Sequence, residues 1–378
     1  MKTTNTQKPK YEIIMDDILS KIKNNDFSYD TVLCTEKQLS EQYQVSRITA
    51  KRAITDLEQR GILYRRRGVG SFVARNALNN LDNLSHPVAD SKMASFLLPF
   101  DITKGGLFDT VKTINMALNE HDYFMNIYIT DASSAKEKAN LKLLLSQHPS
   151  GLIYYPMRDR INLNLLNEFV FQGIPVVIID KTTDCSYLHN VVSDNFEGGR
   201  LLTEHLIRLG HRRIGFLCSV PIEETSSVRN RFGGYLHQLQ SAGISPGSCT
   251  FNYTNCELTD DDTVTDEGSP LQIIIRQMYQ AGITAILAEN DRVARLIMLT
   301  CNKMGLRIPE DLSVCGFDNN EIAREMDLTT VGQDFHAIGE EAARILITAL
   351  SSPAAPAQKV TIPVKLFVRS STGSPGTN

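Results

Sequence analysis

From residue 92 to residue 371 strand-length apolar runs alternate with helix-length segments, and this alternation constrains the fold more than any other feature. The runs are Ala94–Leu98, Phe124–Ile129, Gly151–Tyr154, Val176–Ile179, Ile214–Leu217, Ala285–Leu287 and Leu312–Cys315. Each is continuously apolar, as expected of parallel strands covered on both faces by helices. The segment is longer than one doubly wound sheet comfortably holds, so a two-lobed α/β body is expected. Ligands of such sheets bind outside the carboxyl ends of the strands. Cys249–Pro270 has little pattern and several acids and reads as loop-rich, and Thr372–Asn378 reads as a disordered tail.

The first 75 residues follow another rule. Tyr11, Ile14, Met15, Ile18, Leu19 and Ile22 form one stripe at helical spacing. Thr35-Glu36-Lys37-Gln38 has the form of a capping box ahead of a short helix. After a tight Gln44-Val45 connection, Ser46 is a good N-cap for a longer helix reaching about Gln59, with Ala50, Ala53, Ile54 and Leu57 inward and Gly61 as its stop. Ile62–Val73 reads as two short strands around a basic, glycine-containing tip. Three helices and a hairpin predict a winged helix-turn-helix over 1–75. Residues 76–91 are polar and weakly periodic and read as a linker, or as one short helix carrying Leu78, Leu81 and Leu84.

Charge follows the same division. Residues 1–76 carry 14 Lys and Arg against 9 Asp and Glu, whereas the remainder carries 25 against 34. A basic head on an acidic body suggests that only the head meets a polyanion. On the outward face of the second turn-helix-unit helix, Arg47 and Lys51 lie four residues apart. Arg47 has the planar fork for a guanine edge, and Lys51 can serve a base or a phosphate. The wing tip Arg65–Gly68 can reach the minor groove or flanking phosphates. Taken alone these cations describe a solvated surface; the order helix, turn, helix, hairpin turns the balance towards duplex DNA.

Other chemistries lack carriers. The chain has no Gly-x-Gly-x-x-Gly or Walker loop, no nucleophile elbow and no His/Glu pair at metal spacing, so neither a metal nor a cofactor is expected. An enzyme with a DNA-binding appendage, acting on a small sugar-like substrate, is the alternative class. Seven scattered cysteines, none in a Cys-x-x-Cys pair, read as free thiols in a reducing compartment. No apolar run approaches the ~20 residues of a membrane span, and Met1–Lys10 lacks a signal-like apolar core. A cytoplasmic protein without membrane contact is expected.

Two resemblances sharpen these expectations. Residues 11–74 resemble the DNA-binding domain of the GntR family through Leu33-Cys34-Thr35-Glu36, Val45-Ser46-Arg47, Ile54-Thr55-Asp56-Leu57 and Gly68-Val69-Gly70-Ser71-Phe72-Val73. The resemblance implies a DNA interface at Lys37, Ser46, Arg47, Ile48, Lys51, Arg67 and Gly68. Cys34 stands where that family usually has Pro, and Lys51 where Arg is common. The body is similar to the effector domain of the LacI family, itself like periplasmic sugar-binding proteins. The strings that carry it include Val192-Ser193-Asp194-Asn195, Arg229-Asn230-Arg231-Phe232-Gly233-Gly234, Ala288-Glu289-Asn290-Asp291 and Val314-Cys315-Gly316-Phe317-Asp318. That resemblance implies an effector held by Arg231, Asn290 and Asp318. Asp180, which ends the Val176–Ile179 strand, is a fourth candidate, and Phe108, Tyr155 and Phe335 are candidate walls for a sugar ring. Bland alternatives exist: Asp318 or Asn290 as helix caps, Arg231 in a surface ion pair, Phe108 and Phe335 in the core.

A GntR head on a LacI-type body is the arrangement of AraR-like arabinose repressors. The combination implies a homodimer on a palindromic operator, released when a sugar, with L-arabinose favoured, fills the cleft.

Overall fold

The computed structural model describes residues 10–24, 26–27, 29–31, 33, 35–59, 62–66, 70–75, 77, 92–102, 106–159, 162–245, 250–252, 267–353 and 355–376. The chain divides into two compact units, Met1–Ser91 and Lys92–Asn378.

In the first unit α1 (Lys10–Lys23), α2 (Glu36–Gln42) and α3 (Arg47–Gln59) precede a hairpin of β1 (Leu63–Arg66) and β2 (Gly70–Val73). The expected stripes meet in one core: Ile14, Ile18 and Ile22 of α1 pack with Leu39, with Ala50, Ala53, Ile54 and Leu57 of α3, and with Leu63 and Val73 of the hairpin. The capping box of α2 is complete, since Gln38 N donates to Thr35 Oγ1 at 3.3 Å and Thr35 N to Gln38 Oε1 at 2.8 Å. Ser46 opens α3 by accepting from Thr49 N at 3.1 Å. Ala77 joins the same core, so packing extends past residue 75. Of the expected linker only Ala77 is described; Leu78, Leu81 and Leu84 lie outside the described residues.

The second unit contains two six-stranded sheets. The first is built from β3 (Met93–Leu98), β4 (Phe124–Ile129), β5 (Gly151–Tyr154), β6 (Val176–Ile179), β7 (His189–Ser193) and β13 (Lys359–Ile362), in the order β13-β7-β6-β5-β3-β4, all parallel. The second holds β8 (Ile214–Cys218), β9 (Thr250–Asn252), β10 (Ala285–Ala288), β11 (Ser313–Asp318), β12 (Thr329–Gly332) and β14 (Lys365–Phe367), in the order β14-β12-β11-β10-β8-β9, with β14 antiparallel. Helices α4 (Leu107–Asn119), α5 (Ser134–Gln147), α6 (Leu163–Phe171) and α12 (Phe335–Ser351) serve the first lobe; α7 (Asn195–Arg208), α8 (Ser226–Ser241), α9 (Pro270–Gln280), α10 (Asp291–Lys303) and α11 (Glu321–Glu325) serve the second. The chain crosses between lobes after β7, after β12 and between β13 and β14. This is the expected two-lobed α/β body.

Each of the seven apolar runs falls on a strand, the last one displaced to Ser313–Asp318. The loop-rich expectation for Cys249–Pro270 is corrected at both ends: Thr250–Asn252 is a strand and Pro270 starts α9, while 253–266 lies outside the described residues. The expectation of a disordered tail is corrected at its start, while 377–378 lies outside the described residues. Thr372 Oγ1 bonds His205 Nε2 and Thr329 Oγ1, both at 2.9 Å, and Gly373 O accepts from buried His211 at 2.8 Å. Polar groups of the second lobe recruit the tail because they need partners once buried.

Helices α7 and α8 approach through glycines. A Cβ on Gly199 would fall 2.0 Å from the Arg231 carbonyl oxygen, and one on Gly234 would fall 2.0 Å from that of Phe196. At Gly233 the nearest atom would be the Phe196 ring, 3.5 Å away, an ordinary contact. Gly234→Ala should therefore lower the urea midpoint, by about 1–3 kcal/mol or more of stability. The adjacent Gly233→Ala should hold or raise it by up to about 1 kcal/mol through helix propensity. Equal midpoints for the two variants would contradict this packing.

Candidate functional site

The carboxyl ends of β6, β10 and β11 deliver polar side chains into the crevice between the lobes. Arg231, on the second turn of α8, is 5% exposed. Its Nε donates to Asn195 Oδ1 at 2.8 Å, Nη1 donates to the Glu289 carbonyl, and Nη2 stands 3.8 Å from Asp318 Oδ1. The guanidinium lies over Phe317, 3.7 Å from the ring centroid. Gln333 Nε2 donates to Asp318 Oδ1 at 2.7 Å, and Ser193 Oγ donates to Gln333 Oε1 at 2.6 Å, linking two of the crossings.

The facing lobe contributes Asp180, Lys181 and Tyr155. Lys181 Nζ donates to Asp180 Oδ2 at 2.5 Å and, across the crevice, to Ser227 Oγ at 2.9 Å. Thr182 N donates to Ser226 Oγ at 2.9 Å, and Asp159 accepts from Ser226 N at 2.7 Å and from Arg229 at 2.8 Å. The start of α8 is thus stitched to the opposite lobe.

Burial disfavours the Asp180 carboxylate, but Lys181 outweighs it and holds the acid below its ordinary range. Asp318 moves the other way: burial raises it, against the opposing pull of Arg231 and Gln333. Burial and then the charges of Asp180 and Asp318 push the Tyr155 phenol well up, so it stands as a neutral hydroxyl among them. Glu289 is also raised by burial. Fixed donors and acceptors in a largely buried crevice beside an aromatic ring are suited to recognising adjacent hydroxyls.

The structure brings together Arg231, Asp318, Asp180 and Tyr155. Asn290 stands at the edge of the group as the N-cap of α10, accepting from Val293 N at 2.9 Å while its Nδ2 lies 3.4 Å from Glu289 Oε1. Asp318 caps nothing: α11 begins at Glu321. The two remaining candidate walls are Phe335 and Phe108. Phe335 packs on the first lobe's core, and its ring lies where a Cβ on Gly106 would come within 2.2 Å. Phe108 is 57% exposed on the first turn of α4 and belongs to no packed core. Sequence reasoning missed Lys181, Ser227, Asn195, Gln333 and Glu289. Lys181 and Glu289 were adjacent to named candidates, and only the pairing across lobes reveals the rest.

On the head, Ser46, Arg47, Ile48 and Lys51 are exposed on the first turns of α3, and Lys37 is exposed on α2. Ile48 is 81% exposed, an apolar side chain held in solvent. Arg67 and Gly68 lie outside the described residues. The wing arginines before them are engaged within the head: Arg65 pairs with Glu58 at 3.0 Å, and Arg66 pairs with Asp30 at 2.8 Å and lies over Phe72. Among the described residues, no group of His, Cys, Asp and Glu is arranged to hold a metal, and no helix is long and apolar enough to cross a membrane.

A helix-turn-helix head on a two-lobed, crevice-bearing body defines a ligand-responsive transcription regulator. Comparison with known proteins agrees. Residues 203–372 match the family described as periplasmic binding protein-like domain, and residues 10–73 match that described as bacterial regulatory proteins, gntR family. The HTH-type transcriptional repressor PurR of Edwardsiella ictaluri is 30% identical over 70% of this chain and 75% of its own. The arabinose metabolism transcriptional repressor of Halalkalibacterium halodurans is 26% identical over 96% of both chains. A LacI family regulator from Enterococcus faecium with bound ribose superposes with a TM-score of 0.63 at 23% identity, over 75% of this chain and 99% of its own.

The chain belongs to the LacI/GalR family of DNA-binding transcriptional regulators. This corrects the expectation of an AraR-like GntR-family fusion. The gntR match ends at residue 73, whereas the likeness to LacI/GalR regulators runs through the large body that decides the assignment.

Asp291, buried behind the crevice, accepts from Thr330 Oγ1 at 2.6 Å and from Asn320 N at 3.1 Å. Burial and then the Asp318 charge raise its pKa despite these donors. A carboxyl raised on folding contributes stability that is whole below its unfolded value of roughly 4 and is lost as pH climbs towards the raised folded value. Asp291→Asn cannot titrate. The difference in thermal midpoint should shift in the variant's favour from about pH 5 to about pH 8; a pH-independent difference would show that Asp291 keeps an ordinary acidity.

Proposed function

We propose that this regulator represses carbohydrate-utilisation genes, with residues 1–75 reading the operator, 76–91 linking, and 92–371 binding a sugar and forming the homodimer. The observation that carries the reading is the polar group assembled from both lobes, in which Arg231, Asp318 and Asp180 face one another beside Tyr155. A ligand that bridges such groups binds one arrangement of the lobes better than another, which is the condition for shifting a conformational equilibrium. L-arabinose is the first effector to test, because relatives named arabinose metabolism transcriptional repressors align along 90% or more of this chain. In this reading Arg231, Asn290, Asp318, Asp180 and Tyr155 hold the sugar. Lys37, Ser46, Arg47, Ile48, Lys51, Arg67 and Gly68 form the DNA interface.

Operator fragments selected from random DNA should bind the full chain and be released by sugar; operator affinity indifferent to every pentose, hexose and disaccharide tried would overturn the reading. Arg231→Ala should keep operator binding and lose release by sugar. Arg47→Ala should cost about 1–3 kcal/mol at one base position and relax preference there, whereas Lys51→Ala should weaken binding with a shallower salt slope if Lys51 meets a phosphate. Binding-site selection with each variant, repeated at two salt concentrations, measures both.

A further inference from the structure

Glu289 has a carboxylate that the fold leaves half used. The residue follows β10 at the carboxyl end of its sheet, where crevice ligands sit, and is 2% exposed. Its Oε1 accepts from Ser219 Oγ and faces Asn290 Nδ2 at 3.4 Å. Its Oε2 is buried with no hydrogen-bond partner. The nearby cation does not repair this, since the Arg231 guanidinium donates to the Glu289 backbone carbonyl and to Asn195. The carboxylate lies close to the crevice groups: the charges of Arg231 and of Lys181, on the opposite lobe, both act on it, and it in turn raises Asp318.

A buried acceptor without a donor is costly, more so when it bears charge. A ligand hydroxyl would supply the donor. A phosphate or carboxylate would not, because it brings acceptors to Asp180, Asp318 and Glu289 while Lys181 is already bound to Asp180 and Ser227. We propose that Glu289 is a specificity-determining residue of the crevice, its Oε2 accepting a hydroxyl of an uncharged sugar, and that the crevice selects free sugars over their phosphates. This rests on the sugar-effector reading above and names the ligand class and one further contact.

Calorimetric titration of the full chain tests it, with L-arabinose, D-ribose, D-xylose, D-glucose, D-galactose and cellobiose, the corresponding available phosphates, and monodeoxy analogues of whichever sugar binds best. Glu289→Gln keeps the shape and an acceptor for Ser219 while turning the other oxygen into an amide. It should weaken the best sugar about tenfold to a hundredfold, yet leave unchanged the affinity for the one deoxy analogue that lacks the hydroxyl read by Glu289. Ser219→Ala, which frees Oε1 without removing the carboxylate, should retain the preference among analogues. Sugar binding to wild type with an identical analogue profile in Glu289→Gln overturns the proposal and leaves the sugar-effector reading standing. A phosphate that binds more tightly than its parent sugar overturns the ligand class. Failure of every probe to bind wild type overturns both readings together.

Discussion

A guanidinium sunk at the junction of four elements organises the body. Arg231 starts on α8, reaches Asn195 on α7 and the backbone at the end of β10, lies on Phe317 of β11 and points at Asp318. Removing such a group from water costs several kcal/mol unless partners replace the lost hydration. Here one hydrogen bond goes to a side chain, one to a carbonyl and one face to an aromatic ring, so only part of the charge is spent on a carboxylate. The residual field is directed at the crevice. The glycine contact that brings the Arg231 backbone onto Gly199 fixes the height of the whole arrangement, so helix packing and ligand chemistry are parts of one construction.

The backbone makes the same point at the strand ends. Asp180 has φ of 67° and Asp318 of 122°, with Asn319 following at 55°. Non-glycine residues in these regions cost of order 1–3 kcal/mol each and persist where surroundings over-determine them. Both acids sit where a strand stops and the chain must turn away, and the turn directs their carboxylates towards the opposite lobe. Lys181 and Gln333 then hold those carboxylates in place.

Much of this was legible in sequence because burial on both faces leaves an unambiguous apolar run, as in Val176–Ile179 or Ala285–Leu287. The strands that escaped notice are edge or polar ones: β13 and β14 keep exposed residues, and β7 begins His189-Asn190, whose side chains are buried yet hydrogen-bonded. The helix-turn-helix was readable from local rules, namely the Thr35 box, the Ser46 cap and the inward alanines of α3. The crevice was legible only through the motifs around Arg231, Asn290 and Asp318. Aromatic character alone does not separate a sugar platform from a core residue, since Tyr155 and Phe335 both pack against the first lobe's core. Lys181 and Ser227 are 46 residues apart and share no motif, so their bond across the crevice belongs to tertiary structure alone.

Those inter-lobe bonds bear on how a signal could leave the body. Lys181 to Ser227, Thr182 to Ser226, and Asp159 to Ser226 and Arg229 join the lobes through the first turn of α8, the helix that carries Arg231. To invert a population from 1:99 to 99:1, a ligand must prefer one arrangement by ~10⁴-fold, or about 5.5 kcal/mol. Exposed ion pairs such as Arg158 with Glu224 contribute little to such a difference. The buried inter-lobe bonds, such as Lys181 to Ser227, can contribute more, because each is made or lost with its desolvation cost attached. A ligand that bridged Asp180 on one lobe and Arg231 on the other would add to the bonds that already join the lobes. The start of α8 is therefore where occupancy of the crevice and the spacing of the lobes become one variable.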